Sequence, residues 1–98
     1  MTKVEILAYL SEHKHDFYQR FGVVKIGLFG SFANDTASDN SDIDILIELD
    51  QNVNNIYMKK KEFKFELEKY FQRKVDIARE KYIKPIARES IMNSITYV

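Results

Sequence analysis

Gly30-Ser31 is followed, after ten intervening residues, by Asp42-Ile43-Asp44, and this pairing is the most reactive combination in the chain. Residues 42–49 alternate: Ile43, Ile45, Ile47 and Leu49 share one face, and Asp42, Asp44, Leu46 and Glu48 share the other. In a strand, positions two apart project from the same face, with Cα atoms about 6.5–7 Å apart. Two carboxylates that close repel unless a cation sits between them or one takes up a proton. Leaning together, they could share metal ions held about 3.5–4 Å from each other. Asp76 lies in another short strand pattern, residues 74–78, on the face opposite Val75 and Ile77. If the two strands are sheet neighbours, Asp76 becomes a third ligand. Hard oxygen donors without His or Cys suit Mg²⁺, which keeps waters and binds phosphate oxygens as well.

Gly30 ends a strand pattern, and Ser31-Phe32-Ala33 could begin a helical turn. Backbone N–H groups at such a turn favour an anion, typically phosphate. Glycine lets the backbone approach closely, and the Ser31 hydroxyl can donate one more hydrogen bond. A phosphate cradle beside metal-binding carboxylates describes a site for a nucleoside triphosphate and Mg²⁺. Taken singly, each motif is ordinary: a D-x-D is usually a pair of solvated acids, and Gly-Ser before a polar loop is common. The argument rests on their joint occurrence on matching elements. Asp35, Asp39, Glu48 and Asp50 read as solvated acids, although Glu48 lies on the carboxylate face.

The elements that must position these residues are legible in outline. Thr2-Lys3-Val4-Glu5 fits a capping box. Leu7, Leu10, Lys14, Phe17, Tyr18 and Phe21 then follow at helical spacing, closed by Gly22. Residues 23–29 read as a strand, and residues 30–40 as a small polar loop with a helical turn at its start. Residues 52–71 carry a second helical stripe of Ile56, Phe63, Leu67, Tyr70 and Phe71. Pro85 suits the first turn of a last helix, in which Ala87, Ile91 and Ile95 stack at i+4. The resulting order is α-β-loop-β-α-β-α: an α/β (α+β) fold with a small mixed sheet and helices packed against it.

The 98 residues make one expected domain, 1–98. Lys and Arg number 15, matched by 15 Asp and Glu, so no global field draws a long nucleic acid or an anionic membrane. The absence of cysteine removes disulfides, thiolate metal sites and thiol catalysis, and favours a cytoplasmic home. No apolar run approaches the roughly 20 residues of a membrane span. His13 and His15 do not share a helix face and read as surface histidines. Lys59, Lys60 and Lys61 read as a solvated helix face. Arg73, Lys74 and Arg79 flank the third strand, where phosphate contact is a minor alternative. Phe17, Tyr18, Phe21, Phe63, Tyr70 and Phe71 read as core.

The stretch from Gly30 to Leu46, with Asp76 downstream, resembles the nucleotidyltransferase signature of the DNA polymerase beta-like superfamily. The whole chain resembles the minimal nucleotidyltransferases. By position, the resemblance assigns Gly30 and Ser31 to the triphosphate. It assigns Asp42 and Asp44 to both metals, and Asp76 to the catalytic metal and activation of the attacking hydroxyl. It further implies AMP transfer from ATP, with Mg²⁺, to a hydroxyl. The acceptor it implies is a tyrosine of a HEPN-domain RNase toxin for which the chain is the antitoxin. One departure stands out. Members of the family commonly have Ala-Arg-Gly after the Gly-Ser-x; here it is Ala33-Asn34-Asp35. Asn and Asp tolerate a left-handed backbone better than most residues. The missing Arg leaves a competing class open, a binding module that neutralises the partner by contact. A transferase with another acceptor is the third reading. Oligomeric state is not legible.

Overall fold

The computed structural model describes residues 1–98. Helices α1 (Lys3–Glu12) and α2 (Lys14–Phe21) lead into strand β1 (Val23–Phe29), followed by a single helical turn, α3 (Gly30–Ala33). Strand β2 (Ile43–Leu49), helix α4 (Ile56–Phe71) and strand β3 (Val75–Arg79) follow. A 3-10 turn (Glu80–Tyr82), helix α5 (Pro85–Ser94) and a two-residue strand β4 (Thr96–Tyr97) complete the chain.

The four strands lie in the order β3-β2-β1-β4. β2 runs antiparallel to β1 and parallel to β3, so the sheet is mixed, as expected. The parallel step is possible because α4 carries the chain back between β2 and β3. Eighteen buried residues form the core. Ile43, Ile45 and Ile47 of β2 are fully buried beneath Ile6 and Leu10 of α1, Phe17 of α2, and Phe63 and Leu67 of α4. Phe17 and Phe63 meet edge to face with ring centroids 5.0 Å apart. The opposite face of the sheet carries Asp42, Asp44, Leu46 and Glu48, where α5 packs against β1 and α3. Leu46 is fully buried there, apart from the main core.

Local signals held at several points. The Glu5 amide donates to Thr2 Oγ1 at 3.2 Å, Gly22 ends α2 at φ 72°, and Pro85 starts α5. Three expectations are corrected. The first helix is two: it breaks at His13, whose backbone leaves the helical region and whose ring Nδ1 reaches the Tyr9 carbonyl at 2.9 Å. His13 is accordingly half-buried against the Tyr9 ring, not a free surface histidine. Tyr18 and Tyr70 are exposed, not core, although Tyr70 stacks on Tyr9 at 3.7 Å. Ile95 lies beyond α5 in extended conformation, because Thr96 and Tyr97 leave the helix to pair with Leu28 and Gly27. That strand can approach only because residue 27 is glycine: a Cβ there would stand 2.7 Å from Ile95 Cδ1 and 3.0 Å from the Tyr97 ring.

Candidate active site

Strand pairing brings the sequence candidates to one end of the sheet. Phe29, at the end of β1, pairs with Asp44 on β2, and Asp44 pairs in turn with Asp76 on β3. Paired positions on neighbouring strands are about 4.8 Å apart, so Asp44 and Asp76 face the same side next to each other. Asp42 lies just ahead of β2 and two residues from Asp44. Gly30 follows Phe29 directly, at φ 77°. A Cβ at that position would overlap the Asp44 carboxylate. Gly30 is therefore demanded twice, by backbone conformation and by the acid it lies against.

The electrostatics follow from this crowding. The Asp44 carboxyl titrates above its ordinary value, first because it is partly buried and then because Asp76 and Asp42 repel its charge. Asp42 is half-buried and Asp76 exposed. The one cation near an acid of this set is Lys74, whose ammonium stands 3.8 Å from Asp42 across exposed surface. Such a pair offsets little of the repulsion. The three carboxylates are not drawn to one point that would enclose an ion. As a donor set they nonetheless suit a hard divalent cation: all are oxygens, they repel one another, and they lie open to solvent on one side.

The turn after Gly30 is held from within. The Asn34 amide donates to the Gly30 carbonyl and the Thr36 amide to the Ser31 carbonyl, at 3.1 and 2.9 Å. Ser31 is half-buried. Asp35 takes φ 58°, a left-handed conformation that Asp tolerates better than most residues.

One expectation about charged residues is corrected. Glu48 is not a solvated acid: it accepts from the Arg79 guanidinium at 3.0 Å and from the Lys81 amide at 3.1 Å. Arg79 is thereby buried and neutralised, with no charge to spare for a phosphate. Arg73 is likewise engaged, donating to the carbonyls of Asp39 and Ser41. Nothing in the sequence pattern marks that role, since carbonyl acceptors leave no residue-type signature.

A glycine turn thus lies against crowded strand-end carboxylates at one end of the sheet. The chain belongs to the nucleotidyltransferase domain family, whose model matches residues 10–98, and it is an enzyme of that class acting on a nucleotide substrate. Within the class it is similar to the protein adenylyltransferase MntA of Thermococcus cleftensis, with 31% identity across 100% of this chain and 97% of that protein. Its fold matches a solved structure provisionally described as a minimal nucleotidyltransferase, with a TM-score of 0.77 and 27% identity over 98% of this chain and 95% of that one. A further match in fold is a solved complex of tri-AMPylated Shewanella oneidensis HEPN toxin with its minimal nucleotidyltransferase antitoxin. Its TM-score is 0.66 at 16% identity, covering 98% of this chain and 71% of that one.

Proposed function

We propose that this chain is a protein adenylyltransferase that moves AMP from ATP onto a hydroxyl of a HEPN-type RNase toxin, and so acts as its antitoxin in the cytoplasm. The observation that carries the reading is the contact of Gly30 with the Asp44 carboxylate, at the register step that pairs Asp44 with Asp76. That contact sets the turn after Gly30 directly beside Asp44 and its neighbouring acids. The relatives support the acceptor class: one is named a protein adenylyltransferase, and one fold match is a complex containing an AMPylated toxin.

Asp42, Asp44 and Asp76 would hold Mg²⁺, and Gly30 and Ser31 would hold the triphosphate. Bound Mg²⁺ supplies neutralisation of phosphate charge and lowers the pKa of the acceptor hydroxyl. The backbone amides after Gly30 orient the phosphates, and the Ser31 hydroxyl donates to one phosphate oxygen. Asp76, the exposed acid, faces the incoming hydroxyl and accepts its proton. The hydroxyl oxygen bonds to the α-phosphorus, the bond from that phosphorus to the β-phosphate bridge breaks, and pyrophosphate leaves. Much of the rate comes from positioning, because the groups are held on paired strands. The preferred acceptor is a tyrosine.

The test is to mix the purified partner with this protein, ATP and Mg²⁺, and to weigh the partner intact. Mass increments of AMP should appear on a tyrosine and vanish with Asp42→Asn, while association of the two proteins survives. If Asp42→Asn protects cells as well as the wild type and no mass is ever added, the chain neutralises by contact. Mass on RNA or on a small molecule would keep the reaction and overturn the acceptor.

A further inference from the structure

Arg73 lies in the turn between α4 and β3, three positions before Asp76 and outside the set of acids and phosphate-loop residues. Its side chain is half-buried and reaches three places at once. Nη1 donates to the Asp39 carbonyl at 2.9 Å and to the Ser41 carbonyl at 2.8 Å. The guanidinium carbon stands 5.2 Å from the centre of the Phe32 ring. Phe32 adjoins Ser31 in α3, and Ser41 adjoins Asp42. The segment in between, residues 34–42, is otherwise held by bonds within itself and to α3, by Ala37 against the core, and by the exposed Lys74–Asp42 pair at 3.8 Å. The Ser38 amide donates to Ser41 Oγ at 2.8 Å, and the Ser41 amide returns to the Ser38 carbonyl at 3.1 Å.

We infer that Arg73 is a positioning residue that clamps the phosphate turn, the Asp42 lead-in and the Asp76 strand into one frame. This rests on the reading of those residues as the transfer site. The physical case is the fork itself. Hydrogen bonds from a charged donor to carbonyls are the strong kind, and a planar guanidinium can lie over an aromatic ring while making them. A lysine ammonium is a compact point charge on a shorter reach, without the plane. Arg73 joins α3, the 34–42 segment and the base of β3 through one side chain, next to the Ile43 amide, which donates to the Lys74 carbonyl at 3.0 Å. Removing it takes away the tie to Asp39, Ser41 and Phe32 and loosens their placement against Asp76, while the Ile43 bond remains. A misplacement of about 1 Å at a reacting centre costs on the order of 100-fold in rate.

The experiment compares wild type, Arg73→Lys and Arg73→Ala in three measurements: transfer kinetics with ATP and Mg²⁺, calorimetric binding of ATP with Mg²⁺, and amide hydrogen exchange. For Arg73→Ala we expect kcat to fall by about 10- to 100-fold, with a smaller change in KM for ATP. We expect faster exchange confined to residues 38–42, with β1 and β2 still protected. Arg73→Lys should fall between, recovering exchange protection more than rate. Wild-type rate and wild-type exchange at residues 38–42 in Arg73→Ala would overturn the inference. So would equal loss of protection across the whole sheet, which would mean general destabilisation. If wild type itself transfers nothing, the function reading fails. The clamp then stands or falls on exchange: faster exchange confined to residues 38–42 in Arg73→Ala keeps it, and wild-type exchange there overturns it.

Discussion

Gly30→Ala adds a single methyl group where the site has no space for it. Gly30 sits at φ 77°, and an L-residue in the left-handed region costs about 1–2 kcal/mol. The new Cβ would also overlap Asp44 Oδ2 and stand 2.9 Å from the carboxylate carbon and 3.2 Å from the Asp44 Cβ. Asp44 cannot retreat with its strand, because its backbone is paired to Phe29 on one side and to Asp76 on the other. Its side chain must rotate off its well instead, at about 0.5–1.5 kcal/mol. Together these give about 1.5–3.5 kcal/mol of lost stability. For a domain of this size each kcal/mol moves Tm by about 4–8 °C, so the melt should drop by at least about 6 °C. If Asp44 holds the metal as proposed, transfer should fall about 100-fold even well below the melt, because the rotated carboxylate is misplaced.

The assay is a thermal melt paired with transfer kinetics, with two comparisons built in. Asp35→Gly, at φ 58° in the same turn, should be close to neutral, since relief of the left-handed strain is offset by a freer unfolded chain. Combining Gly30→Ala with Asp44→Ala should recover part of the lost stability, because the overlapping oxygens are gone. A Gly30→Ala protein that melts within about 2 °C of wild type and keeps its rate would refute the argument from space and backbone together. Strict additivity in the double variant would refute the steric half alone.

Two further outcomes follow from the charges. The raised Asp44 pKa means that the folded state holds its proton more tightly than the unfolded state does. The Asp44 contribution to stability without divalent cation should therefore decline as pH rises from the ordinary aspartate value through the raised one, against the opposite slope from the lowered carboxyls of Asp16 and Glu80. Asp44→Asn should flatten that decline and melt higher at neutral pH, as melts across pH 3 to 7 (on the order of one unit apart) would reveal. At the other end of β2, Glu48→Ala leaves the buried Arg79 guanidinium without its partner. Urea unfolding should register a loss of about 3–5 kcal/mol, while the transfer rate of the folded protein stays at the wild-type level.

What the sequence determined by itself are the features set by neighbours along the chain. The period-two pattern of residues 42–49 specifies a strand with Asp42 and Asp44 on one face, because side-chain direction alternates whatever the strand pairs with. Thr2, Gly22 and Pro85 mark helix ends because caps are satisfied within a few residues. Gly30, Ser31 and Asp76 were legible as candidates by type and spacing. Tertiary structure decided the rest, and always through partners distant in the chain. β4 exists because Gly27 admits Ile95 and Tyr97, a contact no two-residue pattern announces. Glu48 and Arg79 neutralise each other across 31 positions, and Arg73 finds carbonyls 34 and 32 positions away. Which acids repel, which cations are free and where a methyl group has no space are set by register between strands, and register is a property of the folded sheet.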